Sequence, residues 1–289
     1  MNFSDNPFSK RVAIHCPVCS AEISQHNRNL RCGNYIYKVC CFCKSYILDP
    51  LPAPAQTEKI YRNPSYFEEV YGDYFTSISG HKNFLNWFRY VVKYLPDRNS
   101  RIAEIGSGSG VFLQVLQQFG YTDIRGYELN EFAVDICKAK ELPVYQQESF
   151  ILENNLDAVF MFDVIEHIPN PNELLQQIYN RLRPGGLLVI ETSCNRRLVA
   201  RLMGRLWWFL IPPNHVIIYN INSLERLLSA HNFRMLESIK INYHWLSLKN
   251  ALVKVKNLFP FRWSIEGLIR KDIVFPFVHL TSFLSIARK

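Results

Sequence analysis

The stretch RIAEIGSGSGVFLQVL, residues 101–116, carries an apolar run into three alternating glycines and then into a second apolar run. It reads as a strand over 101–105, a bare turn, and a helix over 110–119. Glycines at the carboxyl end of a strand let the backbone bend sharply and let a ligand lie against main-chain N–H groups. The helix that follows turns its positive end toward an anion. Taken alone, such a loop fits a dinucleotide, a flavin or tight packing, and its spacing is GxGxG rather than GxGxxG.

Two carboxylates narrow the reading. Glu128, in GYELN, ends the next strand (124–128), 18 residues past Gly110. A carboxylate there can accept hydrogen bonds from ribose hydroxyls. A fourth strand, 157–162, ends at Phe162 and Asp163 and borders the cleft where the strand order reverses, so both residues are expected to line the ligand. Between and after them the pattern gives a helix over 131–141, a short strand near 143–146, and a helix over 171–182 stopped by Pro184. Strand 187–192, LLVIET, is a continuous apolar run suited to burial on both faces. Ser223 is expected to cap a helix reaching about 231, with FRMLESIKIN as a sixth strand and SFLSIAR as a seventh. Strands alternating with helices predict an α/β fold with a parallel sheet.

Upstream lies a different chemistry. Cys16-Pro-Val-Cys19 and Cys40-Cys-Phe-Cys43 are two CxxC pairs, with 20 residues between Cys19 and Cys40. Two such knuckles joined by a hairpin-like segment can set four thiolates tetrahedrally around Zn²⁺ in a closed, structural site. Cys32 reads as a half-buried hairpin residue, and Cys137 and Cys194 as core thiols. Pro50, Pro52 and Pro54 read as a stiff linker, followed by an aromatic-rich segment with an amphipathic helix ending before Pro96.

An apolar fraction of 48% excludes a disordered chain. The start lacks the apolar core of a secretory signal. The uncharged run 273–287 falls short of the roughly 20 residues a membrane span needs, so no transmembrane segment is expected. Net charge is +8, and its distribution matters more than its total. Residues 196–289 hold 15 Lys and Arg against 4 Asp and Glu, whereas 1–195 hold 18 against 21. The basic last third implies an acidic partner such as a phosphorylated substrate, a membrane surface or RNA.

Taken together, EIGSGSG, YELN, FDVIEHIPNP and LRPGGLLVIET resemble the class I S-adenosylmethionine-dependent methyltransferases, in the branch of the ubiquinone-biosynthesis O-methyltransferases. The resemblance implies a doubly wound, seven-stranded Rossmann-like sheet of order 3-2-1-4-5-7-6 with its last strand antiparallel, here with a small N-terminal zinc ribbon. Residues 1–50 would form the ribbon, 51–95 a linker and helical cap, and 96–289 the methyltransferase domain, with lid segments near 196–219 and 245–278. The resemblance also assigns cofactor contacts. Glu104, Gly106, Ser107, Gly108 and Gly110 would face the methionine end of S-adenosylmethionine and Glu128 its ribose. Leu129 would pack near the adenine, and Phe162 and Asp163 would lie near the amino-acid moiety. The acidic residue after strand three that usually meets the adenine is not evident.

Methyl transfer from a sulfonium is an in-line displacement, and a base is needed only where the acceptor holds its proton. His167, beside the cleft, and His215, in PPNHV, are the base candidates by position. Each is equally readable as a structural, hydrogen-bonded histidine. His81 is expected on a helix face. In NRRLVARLMGRLWWFLIPPNH, Arg197, Arg201 and Arg205 share a helical face beside aromatic residues. That suits a lid over a phosphorylated or lipid-linked acceptor, or contact with anionic lipid. The expected activity is therefore O-methylation of a small-molecule, glycan or lipid-linked acceptor by a cytoplasmic protein, at the inner face of the membrane where the basic third makes peripheral contact. Two alternatives stand beside it: an RNA methyltransferase, and a zinc-binding module on an inactive methyltransferase fold. No Asn/Asp-Pro-Pro-aromatic motif or catalytic cysteine pattern favours nucleic acid.

Overall fold

Two short hairpins open the chain around the cysteine knuckles. Strands β1 (Ile14–His15) and β2 (Glu22–Ile23) flank the first knuckle, and β3 (Asn29–Cys32) and β4 (Tyr35–Val39) lead into the second. The structure, a computed structural model, describes residues 14–23, 28–64, 78–247 and 274–289. Most of the expected lid at 245–278 lies outside the described residues.

The stretch around the prolines, expected to be a stiff linker from Pro50 to Pro54, starts a helix instead, and a strand precedes it. Tyr46–Asp49 is a strand, β5, and Pro54–Tyr61 is a helix, α1. The strand forms because it has partners on both sides: β4, and a two-residue strand far along the chain, with Ile217 opposite Ile47 and Ile218 opposite Tyr46. Ile47 and Leu48 are buried. Pro54 starts α1 rather than interrupting it, since the first turn of a helix has no use for that N–H. Cys32 is half-buried on β3, and Cys137 and Cys194 lie in the core.

Helix α2 (Ile78–Val91) buries Phe84, Trp87, Phe88 and Val91, and one 3₁₀ turn to Tyr94 ends it before Pro96. The alternating part follows: β6 (Ile102–Ile105), α3 (Val111–Gln118), β7 (Ile124–Glu128), α4 (Glu131–Ala139), β8 (Val144–Gln146) and β9 (Leu156–Phe162). Then come α5 (Pro171–Arg181), β10 (Leu182–Ser193), α6 (Leu198–Met203), β11 (Ile217–Ile218), α7 (Ile221–Ala230), β12 (Arg234–Ser247) and β13 (Val274–Arg288). Two local expectations change. Strand β10 begins at Leu182, before the apolar run, and its pairing with β9 jumps from Leu182–Leu156 to Leu187–Ala158, so Pro184, Gly185 and Gly186 occupy an irregularity inside the strand. Helix α7 is capped by Asn220 rather than Ser223. Ser223 is the third helical residue and closes a reciprocal capping box, its N–H donating to Asn220 Oδ1 and its Oγ accepting from Asn220 N.

The main sheet runs β12-β13-β10-β9-β6-β7-β8. Counting these seven strands alone in chain order, that is 3-2-1-4-5-7-6. Strands β6 to β10 pair in parallel, and β13 is antiparallel to both its neighbours. A second, four-stranded sheet, β11-β5-β4-β3, joins the N-terminal hairpin to the methyltransferase part and lay outside the sequence-based expectation. Successive side chains of β6 and β9 face opposite ways, as a strand's two-residue period requires. Ala103, Ile105, Val159 and Met161 pack on the side of Tyr37, Leu48 and Leu227, whereas Ile102, Phe160 and Phe162 pack on α2 and α3. The cysteine module therefore rests on one face of the sheet. Among the described residues no helix is long and apolar enough to cross a membrane.

Candidate active site

The loop after β6 takes its shape from three glycines at positive φ: Gly106 at 72°, Gly108 at 52° and Gly110 at 76°. A Cβ on Gly106 would stand 2.5 Å from Val164 Cγ2, while one on Gly108 would meet nothing within 4 Å. The first glycine is thus required by packing against the loop after β9, and the second leaves backbone open to a ligand. Glu128 fixes that loop from the neighbouring strand. Its Oε2 accepts from Gly108 N at 2.8 Å and its Oε1 from Asn130 N at 2.9 Å. Burial pushes this carboxyl up, and the same N–H groups oppose the shift.

Asn130 has three partners. Its side-chain oxygen caps α4 by accepting from Ala133 N, and its amide donates to the carbonyls of Tyr61 (2.7 Å) and Asn63 (3.1 Å). The end of α1 is thereby drawn over the cleft. A cavity of about 350 Å³ lies beneath it. Gly106, Gly108, Glu128, Leu129, Phe162, Asp163 and His167 all line it. Glu104, Ser107, Gly110 and His215 stand behind the wall instead. Glu104 is buried, with Oε2 lacking a protein partner, and burial and then the Glu128 charge push its carboxyl well above the usual range. Gly110 serves as the N-cap of α3. Phe162 stacks on Trp87 of α2.

The opposite wall was less legible. Tyr61 of α1 lines the cavity and its hydroxyl lies 2.5 Å from His167 Nδ1, which is also 2.9 Å from the Asn214 carbonyl. No spacing or motif marks Tyr61, because it is brought to His167 across 106 residues. Gln147, after β8, lines the cavity where related enzymes are expected to carry an acidic residue, while the neighbouring Glu148 pairs with Arg62. His81 sits on α2 with its Nε2 3.0 Å from Gln118 Oε1, as a face residue.

Burial lowers His167 to about 4, against the Asn214 and Asp163 carbonyls, which favour its charged form. His215 packs beside it, ring centroids 4.7 Å apart, and its Nδ1 lies 2.6 Å from the Phe209 carbonyl. A carbonyl only accepts, so that nitrogen carries the hydrogen and Nε2 keeps its lone pair. Burial, and then His167, hold His215 well below its ordinary pKa. Both imidazoles are therefore neutral near pH 7, the form that takes up a proton. Behind them, Glu166 Oε2 accepts from Thr192 Oγ1 at 2.9 Å. Burial, and then the nearby Asp163, raise Glu166 and Glu191 well above the carboxylate range.

On the ribbon, Cys16, Cys19, Cys40 and Cys43 bring their sulfurs within 4.8 Å of one another, with Cys16–Cys43 and Cys19–Cys40 each at 3.6 Å. Burial pushes Cys19 up to about 11. A group of this kind carries four thiolates only when a cation balances them. Cys41 is exposed and outside the cluster.

A family model described as a methyltransferase domain matches residues 79–238, more than half of the chain. The chain belongs to the S-adenosylmethionine-dependent methyltransferases. Among relatives, a ubiquinone biosynthesis O-methyltransferase of Coxiella burnetii (strain Dugway 5J108-111) is 24% identical over 178 residues, covering 56% of this chain and 74% of that protein. A tRNA U34 carboxymethyltransferase of Syntrophotalea carbinolica is 28% identical over 118 residues, covering 37% of this chain and 36% of its own length. Among solved structures, a methyltransferase from Archaeoglobus fulgidus aligns at a TM-score of 0.54 with 20% identity, covering 76% of this chain and 99% of that one. The magnesium protoporphyrin IX methyltransferase of Synechocystis PCC 6803, solved with bound SAH, aligns at 0.54 with 12% identity, covering 82% and 100%. These likenesses establish the fold.

Proposed function

We propose that the protein moves the methyl group of S-adenosylmethionine to an oxygen of a small-molecule, sugar or lipid-linked acceptor. The observation that carries this reading is a single chamber: the glycine loop and Glu128 form one wall, and a neutral imidazole, His167, faces them from the other. The loop suits the donor because Gly108 leaves bare backbone and Glu128 keeps lone pairs for hydroxyls beyond its two N–H bonds. When bound, the donor supplies a sulfonium methyl to an aligned nucleophile. The chain's own contribution is orientation by Glu128, Leu129, Phe162 and Asp163, and uptake of the acceptor hydroxyl's proton at the His167 ring. His215 packs behind that ring. Calorimetric titration with S-adenosylhomocysteine, followed by labelled-methyl transfer to panels of sugars, phenols and lipid-linked glycans, tests the reading. Absence of S-adenosylhomocysteine binding overturns it.

The four ribbon cysteines fit structural Zn²⁺: the donors are all sulfur, number four, and leave no open position for substrate. Leu198 and Leu202 are exposed on α6 beside Arg201, and Leu206 is exposed beside Arg205 in the separate 3₁₀ turn that follows Gly204, so the expected single helical face is broken there. Such a surface supports peripheral contact with anionic lipid at the cytoplasmic face of a membrane. An RNA acceptor is the second reading, supported by the likeness to the tRNA enzyme and the basic last third. Steep loss of RNA binding with salt would favour it.

A further inference from the structure

The segment from Asn214 to Asn220 runs between the cysteine module and the histidine pair, and it is hydrogen-bonded on both sides. Toward the site, Val216 N donates to Glu166 O at 2.8 Å, and the Asn214 carbonyl faces His167 Nδ1. Toward the ribbon, the fully buried Tyr37 of β4 donates its hydroxyl to the His215 carbonyl at 2.5 Å, and Leu48 N donates to Val216 O at 2.9 Å. Asn220 donates to the carbonyl of Cys43, itself one of the four cysteines, at 3.0 Å. The adjacent Asn195 donates to Lys44 O at 2.8 Å.

These contacts are not interchangeable with ordinary packing. The segment follows Pro212 and Pro213 and contains only two strand residues, so it has little regular structure of its own to hold its path. Its ribbon-side strand partner is β5, which starts three residues after Cys43. The knuckle turn is closed by Lys44 N to Cys40 O and Cys40 N to Ser45 O. A small module of this size, with buried cysteines at its centre, draws its folding energy from the bound metal. By contrast, Glu128 holds the glycine loop through Gly108 N and bonds Asn130 N, and Asn130 bonds α4 and the end of α1; none of these bonds reaches residues 14–49.

We infer that Tyr37 is a positioning residue of the active site, and that the cysteine-bound metal, by ordering the strand pair β5–β11, sets the place of His215 and His167 without touching either substrate. This rests on the proposed reading of the four cysteines as a zinc site and of the histidines as the acceptor-side wall. Metal occupancy then governs the acceptor wall while leaving donor binding intact.

The experiment uses the full chain labelled with ¹⁵N-histidine, its ring signals assigned with His167→Gln and His215→Gln. Zinc is counted by native mass spectrometry, and S-adenosylhomocysteine affinity is measured by calorimetry. Tyr37→Phe is expected to keep its zinc and a dissociation constant within about threefold of wild type, while the ring signals of both histidines move. Removal of zinc from the wild type with a chelator is expected to displace the same two signals further, again with donor affinity kept. Ring signals that stay in place in Tyr37→Phe, or after zinc is gone, overturn the inference. Where Tyr37→Phe does not fold, Asn195→Ala, which removes the Lys44 contact, carries the same expectation and the same overturning result. Failure of the zinc-loaded wild type to bind S-adenosylhomocysteine is a separate result. It sinks the methyl-transfer reading and leaves the ring-signal comparison standing.

Discussion

The two walls of the cavity are built at different ranges along the chain. The donor wall comes from a contiguous run: Gly108 donates to Glu128, 20 residues away, and Gly106 to the Tyr127 carbonyl beside it, within one β-α-β unit. The acceptor wall is gathered from three distant places, with Tyr61 meeting His167 across 106 residues and Tyr37 meeting the His215 carbonyl across 178. The donor wall therefore depends on little more than its own unit, while the acceptor wall forms only when the ribbon, α1 and the 209–220 segment are all in place.

The largest effect is expected at the ribbon. Cys40→Ser should abolish zinc binding by native mass spectrometry and lower stability by on the order of 4 kcal/mol in denaturant unfolding. S-adenosylhomocysteine affinity at a temperature where the chain stays folded should change little. A parallel collapse of donor affinity would show that the two walls are not separable.

Gly106→Ala attacks the donor wall itself. The added Cβ meets Val164 at a backbone φ of 72°, so donor affinity should fall about 100-fold, or about 2.7 kcal/mol, in calorimetry. The His167 and His215 ring signals should hold their positions.

The third test uses pH. His167 is lowered to about 4 in the folded chain from an ordinary value near 6.5. Between those values the unfolded chain binds more protons, so stability rises with pH there and is lost as pH falls below about 6.5. Its contribution should drop by roughly 2 kcal/mol between pH 7.5 and pH 5. Urea unfolding of wild type and His167→Gln at both pH values should show the variant losing less over the same interval. Equal pH slopes would remove His167 as the source.

Glu128→Ala should be the mildest of the four, weakening S-adenosylhomocysteine binding by about 1–2 kcal/mol. Unchanged affinity would take Glu128 out of the site and leave it only the task of holding Gly108.

The same difference in range explains what could be read from the sequence. The strands, glycine loop, Glu128 and the two CxxC pairs are encoded by neighbours in the chain, so spacing exposes them. Tyr46–Asp49 carries no strand signal of its own, because the prolines that follow it are local signals, whereas its partner at 217–218 is not. Ser223 reads as a cap because the sequence shows a serine before a periodic run, but the reciprocal bond with Asn220 places the helix start earlier. Glu191 looks like one more residue of an apolar strand. Only its burial beside Asp163 and Glu166 shows that two further carboxyls stand behind the one that lines the cavity. Gln147 and Tyr61 carry no pattern at all.

Asn130 shows how little chemistry can be exchanged at the seam of the two walls. A cap needs one acceptor, which Asp, Ser or Asn can provide. The carbonyls of Tyr61 and Asn63 need a donor from the same side chain, and they disqualify Asp, which would set a negative charge against two carbonyl oxygens. Serine has a single hydroxyl hydrogen and a shorter reach. One buried amide thus reads two unrelated stretches of backbone at once, and the roof of the cavity is written in the same residue that starts the helix beneath it.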